Sequence, residues 1–158
     1  MTARPRYRFL DEIVLLTLDG TPQIEVAKRF DAGEDVFTGP LGPEQVPESM
    51  LLELMAMTGG HLIFRHLAGG LLPLLLKVPE CRFDDAASAG ERLHAGAALR
   101  GVSSVADGTS VAETEAWVSH DTRPIARARM MFVCQVFASD AILRERRRRL
   151  SAVTSVRS

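Results

Sequence analysis

Cysteine is scarce: Cys81 and Cys134 are the only two in 158 residues. They sit far apart, with no Cys-x-x-Cys pair and no Cys/His ligand spacing, so neither a disulfide framework nor a metal site is indicated. Both are expected to be buried thiols. An excess of charge of one sign is also missing. Lys and Arg number 19 against 20 Asp and Glu, leaving a net charge of -1, whereas nucleic-acid binding requires clustered positive charge. One tryptophan, Trp117, and one tyrosine, Tyr7, supply no base-stacking platform. No apolar run is long enough for a membrane span, because the longest, Ser49 to Ala68, is interrupted by Glu53, His61, Arg65 and His66. Met1 to Leu10 carries Arg4, Arg6 and Arg8 without the apolar core and cleavage site of a secretory signal, so a cytoplasmic location is expected.

What is present is an ordinary globular composition, 46% hydrophobic and 25% charged, in a chain long enough for one well-buried core. A single domain over 1–138 is expected, followed by a polar, basic tail over 139–158 with Arg144 and Arg146 to Arg149. Phe9 to Leu18 reads as a strand, and the turn residues Asp19-Gly20-Thr21-Pro22 lead to Ile24 and Val26, which makes a first hairpin. Between Asp31 and Pro47 three glycines and three prolines predict a long irregular connection. Pro47 suits the first position of a helix, and Glu48 suits the positive end of its dipole. That helix is expected to run to about Leu67 and, because apolar residues surround most of it, to be buried.

Leu71 to Phe83 is interrupted by Pro73 and Pro79, which confines it to an edge or bulged strand. Arg92 to Val105 and Ser110 to Ser119 flank Asp107-Gly108, a two-residue hairpin signal. A register set by that turn places Leu99 opposite Ala116, Ala97 opposite Val118 and Arg100 opposite Glu115. A further strand, Ile125 to Val136, then puts Arg127 opposite Glu115 and Arg129 opposite Glu113. Hairpin, loop, buried helix and a run of strands together indicate an α+β domain with its helix on one face of a curled antiparallel sheet.

Glu53 carries the most information of any side chain. It lies one turn into an apolar helix, and a buried carboxylate must be hydrogen-bonded, paired or protonated. Two readings fit its position equally: a structural ion pair, for instance with Arg65, and a carboxyl of raised pKa suited to proton transfer. Glu113 and Glu115 resemble a carboxylate pair, but their predicted arginine partners favour solvated cross-strand ion pairs.

Pro47-Glu48-Ser49-Met50-Leu51-Leu52-Glu53-Leu54-Met55-Ala56-Met57, with Gly60, resembles the helix start of bacterial beta-hydroxyacyl-acyl-carrier-protein dehydratases, which reads P-G-V-L-I-I-E-A-L-A-Q followed by a glycine. Cys81-Arg82-Phe83 and Gly90-Glu91-Arg92-Leu93 resemble that family's A-R-F and G-D-x-L segments, in the same order. The resemblance implies a single hot-dog domain, a long buried helix wrapped by a curled antiparallel sheet. It also implies a thioester tunnel at an interface between two chains. In that family the glutamate matching Glu53 works with a loop histidine, and backbone amides at the helix start polarise the thioester carbonyl. Here the family's G-H-F-P-G-x-P-V-M-P loop lies over Thr38 to Pro47, with Gly39 where the histidine belongs, and glycine transfers no proton. The glutamine one turn after the glutamate is Met57, and Asp84-Asp85 stand where basic residues often meet an acidic carrier protein.

Four histidines could replace the missing one. His61 lies two turns beyond Glu53, about 12 Å along the helix, too far for a direct hydrogen bond. His66 suits the helix end, and nothing singles out His94 or His120. The resemblance thus implies a dehydratase-like protein that binds acyl thioesters and is catalytically degenerate or acts as partner subunit of an active dehydratase in fatty-acid or polyketide-type metabolism. Two alternatives stand beside it: an active enzyme of the same fold, a dehydratase (hydro-lyase) or a thioesterase using Glu53, and a small-molecule binding module. Glu53 is the catalytic candidate, and Gly39, Met57, Gly60 and Phe83 are the substrate-binding candidates. An acyl-carrier-protein or coenzyme A thioester is the expected ligand and another hot-dog chain the expected partner, in a homodimer or heterodimer. No metal, cofactor, nucleic acid or membrane is expected.

Overall fold

The computed structural model describes residues 10–38, 44–106 and 108–136, together with Arg144 and Arg148. Gly39, Asp107 and the rest of the expected tail lie outside the described residues. The elements are β1 (Glu12–Thr17), β2 (Gln23–Arg29), α1 (Asp35–Thr38), α2 (Glu48–His66), β3 (Leu72–Phe83), β4 (Arg92–Ala106), β5 (Thr109–His120) and β6 (Arg123–Gln135). All strand pairs are antiparallel, in the spatial order β1-β2-β4-β5-β6-β3. The sheet wraps α2, which touches every strand from β2 to β6. This is the helix-in-sheet architecture expected from the sequence. No helix among the described residues is long and apolar enough to cross a membrane.

Local chemistry explains most boundaries. Gly20 turns the first hairpin with φ 70°, a conformation that costs glycine little. α2 begins after Pro47, which is its N-cap residue and not its first helical one, with φ −55° and ψ 141°. The irregular connection contains one element that was not expected, the single turn α1. A reciprocal cap starts it: the Asp31 amide donates to Glu34 Oε1 at 3.2 Å, and Asp31 Oδ1 accepts from the Gly33 amide at 2.8 Å. Flanking glycines and prolines mask this short capping signal in the sequence.

β3 lies at the sheet edge, where Pro73 is tolerated opposite Cys134, and its register breaks between Leu75 and Lys77 and again between Lys77 and Glu80, the second break containing Pro79. The β4–β5 hairpin departs from the expected register in an instructive way. At the turn Ala106 faces Thr109, as predicted, but β4 takes up one extra residue near Val105 and another at Arg100. Beyond these bulges Ala97 faces Ala116, and Leu99 faces Thr114. Two single-residue slips restore the inward and outward faces, so Ala97, Leu99, Ala116 and Val118 remain in the core. Arg100 sits in the second bulge and still pairs with Glu115, its Nε donating at 2.9 Å. On β6, Arg129 faces Glu115 and Arg127 faces Trp117, two positions away from the expected pairs. The Glu113–Arg129 ion pair forms diagonally at 3.4 Å, whereas Arg127 turns to Asp84 at 3.8 Å.

The core lies between α2 and the concave face of the sheet. Leu51, Leu54, Met55, Leu62 and Ile63 of the helix meet Ile24, Val26, Leu93, Val118, Ile125 and Met130. α2 is buried as expected, all round from Thr58 to Phe64, but its first half is open on one side: Ser49 and Glu53 are exposed, and Leu52, Ala56 and Met57 are half-buried. Cys134 is buried as expected, but Cys81 is half-buried, being on the edge strand.

Candidate functional site

The open face of α2 repeats at helical spacing. Ser49, Leu52, Glu53, Ala56, Met57 and Gly60 follow one another at steps of three and one, which places all six on a single stripe. Pro73, Leu74 and Leu75 of β3 and Phe132 of β6 close the other side, leaving a cavity of about 290 Å³. Glu53 is the one charged side chain among these ten lining residues. Its carboxylate is exposed, so the expectation of a group held in a dry interior is corrected: within this chain it stands at the rim of an apolar hollow.

The start of α2 is anchored from outside. Gln45 bridges Ser88, the Val46 amide donates to Ala87 O at 2.7 Å, and the Ala89 amide donates to Glu44 O at 3.3 Å. Pro47 O accepts from the Met50 and Leu51 amides at 2.9 and 3.2 Å. The amides of Glu48 and Ser49, in the first turn, have no partner within the helix and no side-chain cap, and such donors favour developing negative charge.

Of the sequence-derived candidates, Glu53, Met57 and Gly60 line this one cavity. Phe83 does not join them: it pairs with Ala126 at the far end of β3 and packs against the core. Gly39 lies outside the described residues. His61 is 7% exposed and faces the interior instead of the Glu53 stripe, because eight residues carry it most of a quarter-turn around the helix. His66 is exposed at the helix end, and His94 is half-buried on β4. His120 Nδ1 lies 3.7 Å from Glu91 and its Nε2 3.9 Å from Asp121. Ser49 and Ala56 were legible from Glu53 by helical spacing alone; Pro73, Leu74, Leu75 and Phe132 join only through the tertiary fold.

A larger groove of about 510 Å³ runs along the sheet face turned away from α2, between Trp117, Glu115, Arg127, Arg129, Glu80 and Asp84. Both of its arginines already have carboxylate partners, at Asp84 and Glu113, and Glu115 is held by Arg100. This is a lattice of solvated ion pairs, as expected for Glu113 and Glu115, and a poorer candidate than the smaller apolar cavity. Among the described residues no group of three or more His, Cys, Asp or Glu side chains could hold a metal ion.

Several solved structures share this fold. A Lactococcus lactis protein described as a candidate thioesterase superimposes with a TM-score of 0.61 at 11% identity, covering 80% of this chain and 95% of its own. A Streptococcus mutans protein bound to acetyl coenzyme A gives 0.57 at 10% identity, covering 88% and 98%. A hypothetical thioesterase from Streptococcus pneumoniae, solved with coenzyme A, gives 0.55 at 16% identity, covering 81% and 90%. No family model matches the sequence, and no curated protein matches it. At these identities the likeness establishes the hot-dog fold, and the chemistry has to be argued from the residues.

Proposed function

We propose that this chain hydrolyses acyl thioesters of coenzyme A, as a cytoplasmic homodimer, with Glu53 as general base. The observation that carries the proposal is the single carboxylate at the rim of an otherwise apolar cavity. Glu53 accepts a proton from water as the water oxygen attacks the thioester carbonyl carbon. The resulting oxyanion lies against the first-turn amides of α2, and the C–S bond then breaks as the thiolate takes the proton back from Glu53. One carboxylate and one water suffice for this reaction. Dehydration of a 3-hydroxyacyl group asks for a second proton-transfer group, and no histidine stands among the described residues that line the cavity. Coenzyme A is chosen as carrier because two of the similar structures hold coenzyme A or its acetyl thioester.

The second copy closes the cavity. β3 is an edge strand whose Leu74, Leu75 and Leu76 are 41%, 44% and 55% exposed, and they adjoin the half-buried Leu52, Ala56 and Met57. An apolar edge of this kind pairs readily with another chain, most often through a twofold axis. The same open side also favours a second reading, in which the partner is an active dehydratase chain that supplies the missing histidine. Hydrolysis of acyl coenzyme A by the purified chain decides between them. Glu53→Gln should lower kcat by about 10²- to 10⁴-fold with KM little changed. Leu76→Lys should give an inactive monomer in light scattering. An inert native chain that turns over 3-hydroxyacyl thioesters only in complex with another hot-dog protein would replace the hydrolase with the partner subunit.

A further inference from the structure

The inner end of the cavity is built differently from its rim. Phe132 is 2% exposed and stands on β6 between Ala112 of β5 and Leu75 of β3. Two consecutive glycines of α2 lie directly on its ring. A Cβ at Gly59 would meet the ring at 3.5 Å, and a Cβ at Gly60 would meet it at 3.6 Å, with Pro73 Cγ at 3.9 Å. The ring is thus clamped between helix and edge strand, and its β6 neighbours on the same face, Met130 and Cys134, are fully buried. Gly60 lies seven positions beyond Glu53, about 10 Å along the helix axis. An apolar cavity of about 150 Å³ accommodates one benzene ring. A hollow of about 290 Å³ therefore takes roughly twice that amount of carbon, part of it near the open side.

We infer that Phe132, held in place by Gly59 and Gly60, is the length stop of the acyl site, and that the acyl group is a straight chain of up to about ten carbons. The inference rests on the thioester reading for the identity of the ligand, and on the clamped ring for its length. None of the three takes part in proton transfer; all act through the space they fill or leave.

Binding of non-hydrolysable acyl coenzyme A thioethers, from two to sixteen carbons, should be measured by calorimetry on the full chain beside hydrolysis of the matching thioesters. Affinity should rise about fourfold per added methylene and then level off or fall beyond about ten carbons. Gly60→Ala should move that break to shorter chains, because the added methyl narrows the space against Phe132 and Pro73. Phe132→Leu should move it to longer chains. Circular dichroism checks that both variants are folded. Affinity that keeps rising past fourteen carbons in the native chain overturns the length stop, as does a break that stays put in both folded variants. If the break moves without any hydrolysis, the length stop stands and the hydrolase reading falls. Glu53-dependent hydrolysis with an unmoved break gives the reverse, and no binding at any length removes both.

Discussion

Gly59 and Gly60 are adjacent in one helix, yet alanine should affect them in opposite directions. In a helix interior, glycine is less favourable than alanine by about 0.5–1 kcal/mol, so the propensity term alone stabilises both substitutions. At Gly60 the new methyl would meet the Phe132 ring at 3.6 Å and Pro73 at 3.9 Å, which are ordinary contacts. Gly60→Ala should therefore be about 0.5–1 kcal/mol more stable, a rise in Tm of about 1–4 °C for a chain of this size. At Gly59 the methyl would lie 3.0 Å from Thr114 Oγ1, itself fully buried on β5. Neither helix nor strand can move away without opening the core elsewhere, and overpacking of this kind costs about 1–3 kcal/mol. The net result for Gly59→Ala is a loss of about 0–2 kcal/mol. Urea denaturation followed by far-ultraviolet circular dichroism separates the two. Thr114→Ala removes the obstructing hydroxyl, which has no hydrogen-bond partner among the described residues, so Gly59→Ala should regain stability in that background. Equal stabilisation by both alanines, or no coupling between positions 59 and 114, would refute the close approach of α2 to β5.

Gly96 and Trp117 face each other on β4 and β5, and a Cβ at Gly96 would fall 2.2–2.6 Å from three atoms of the indole ring. Gly96→Ala must therefore displace the only tryptophan, giving red-shifted emission and a loss of about 1–3 kcal/mol; unchanged emission would contradict the geometry. The Cys81 thiol is pushed up, first by burial and then by the Glu48 carboxylate, so its thiolate is depleted at neutral pH. Alkylation should accelerate as pH rises, and Glu48→Gln should quicken it at pH 7 to 8 by removing the negative charge, whereas an unchanged rate would mean that Glu48 does not act on Cys81.

The fold could be read from the sequence because its signals are local and mutually consistent. Prolines at 73 and 79 marked β3 as an edge strand, Gly20 marked the first hairpin, and the apolar stretch after Pro47 marked α2. Register was less legible. A bulge adds a residue without changing the period-two alternation on either side of it, so nothing in the pattern of Arg92 to Ala106 announces the slips near Val105 and Arg100. Long arginine side chains then recover ion pairs diagonally, as Arg129 does with Glu113. The charge pattern was therefore a sound guide to which face is outward and a weaker guide to which residues stand opposite.

Glu53 shows where such reasoning stops. A carboxylate in an apolar helix suggested burial, yet in one chain its stripe is open to solvent and the buried polar side chains of α2, Thr58 and His61, lie elsewhere. The apolar residues around Glu53 are too few and too shallow to close over it from within the chain. Leu52, Ala56 and Met57 are spaced as a helix face awaiting a cover, and the leucines of β3 extend that face to the sheet edge. On the proposed reading the cover is a second copy, and the cavity around Glu53 is complete only in the assembly. Specific activity that falls on dilution into monomers would fit this account; activity per chain that is independent of protein concentration would assign the site to one chain.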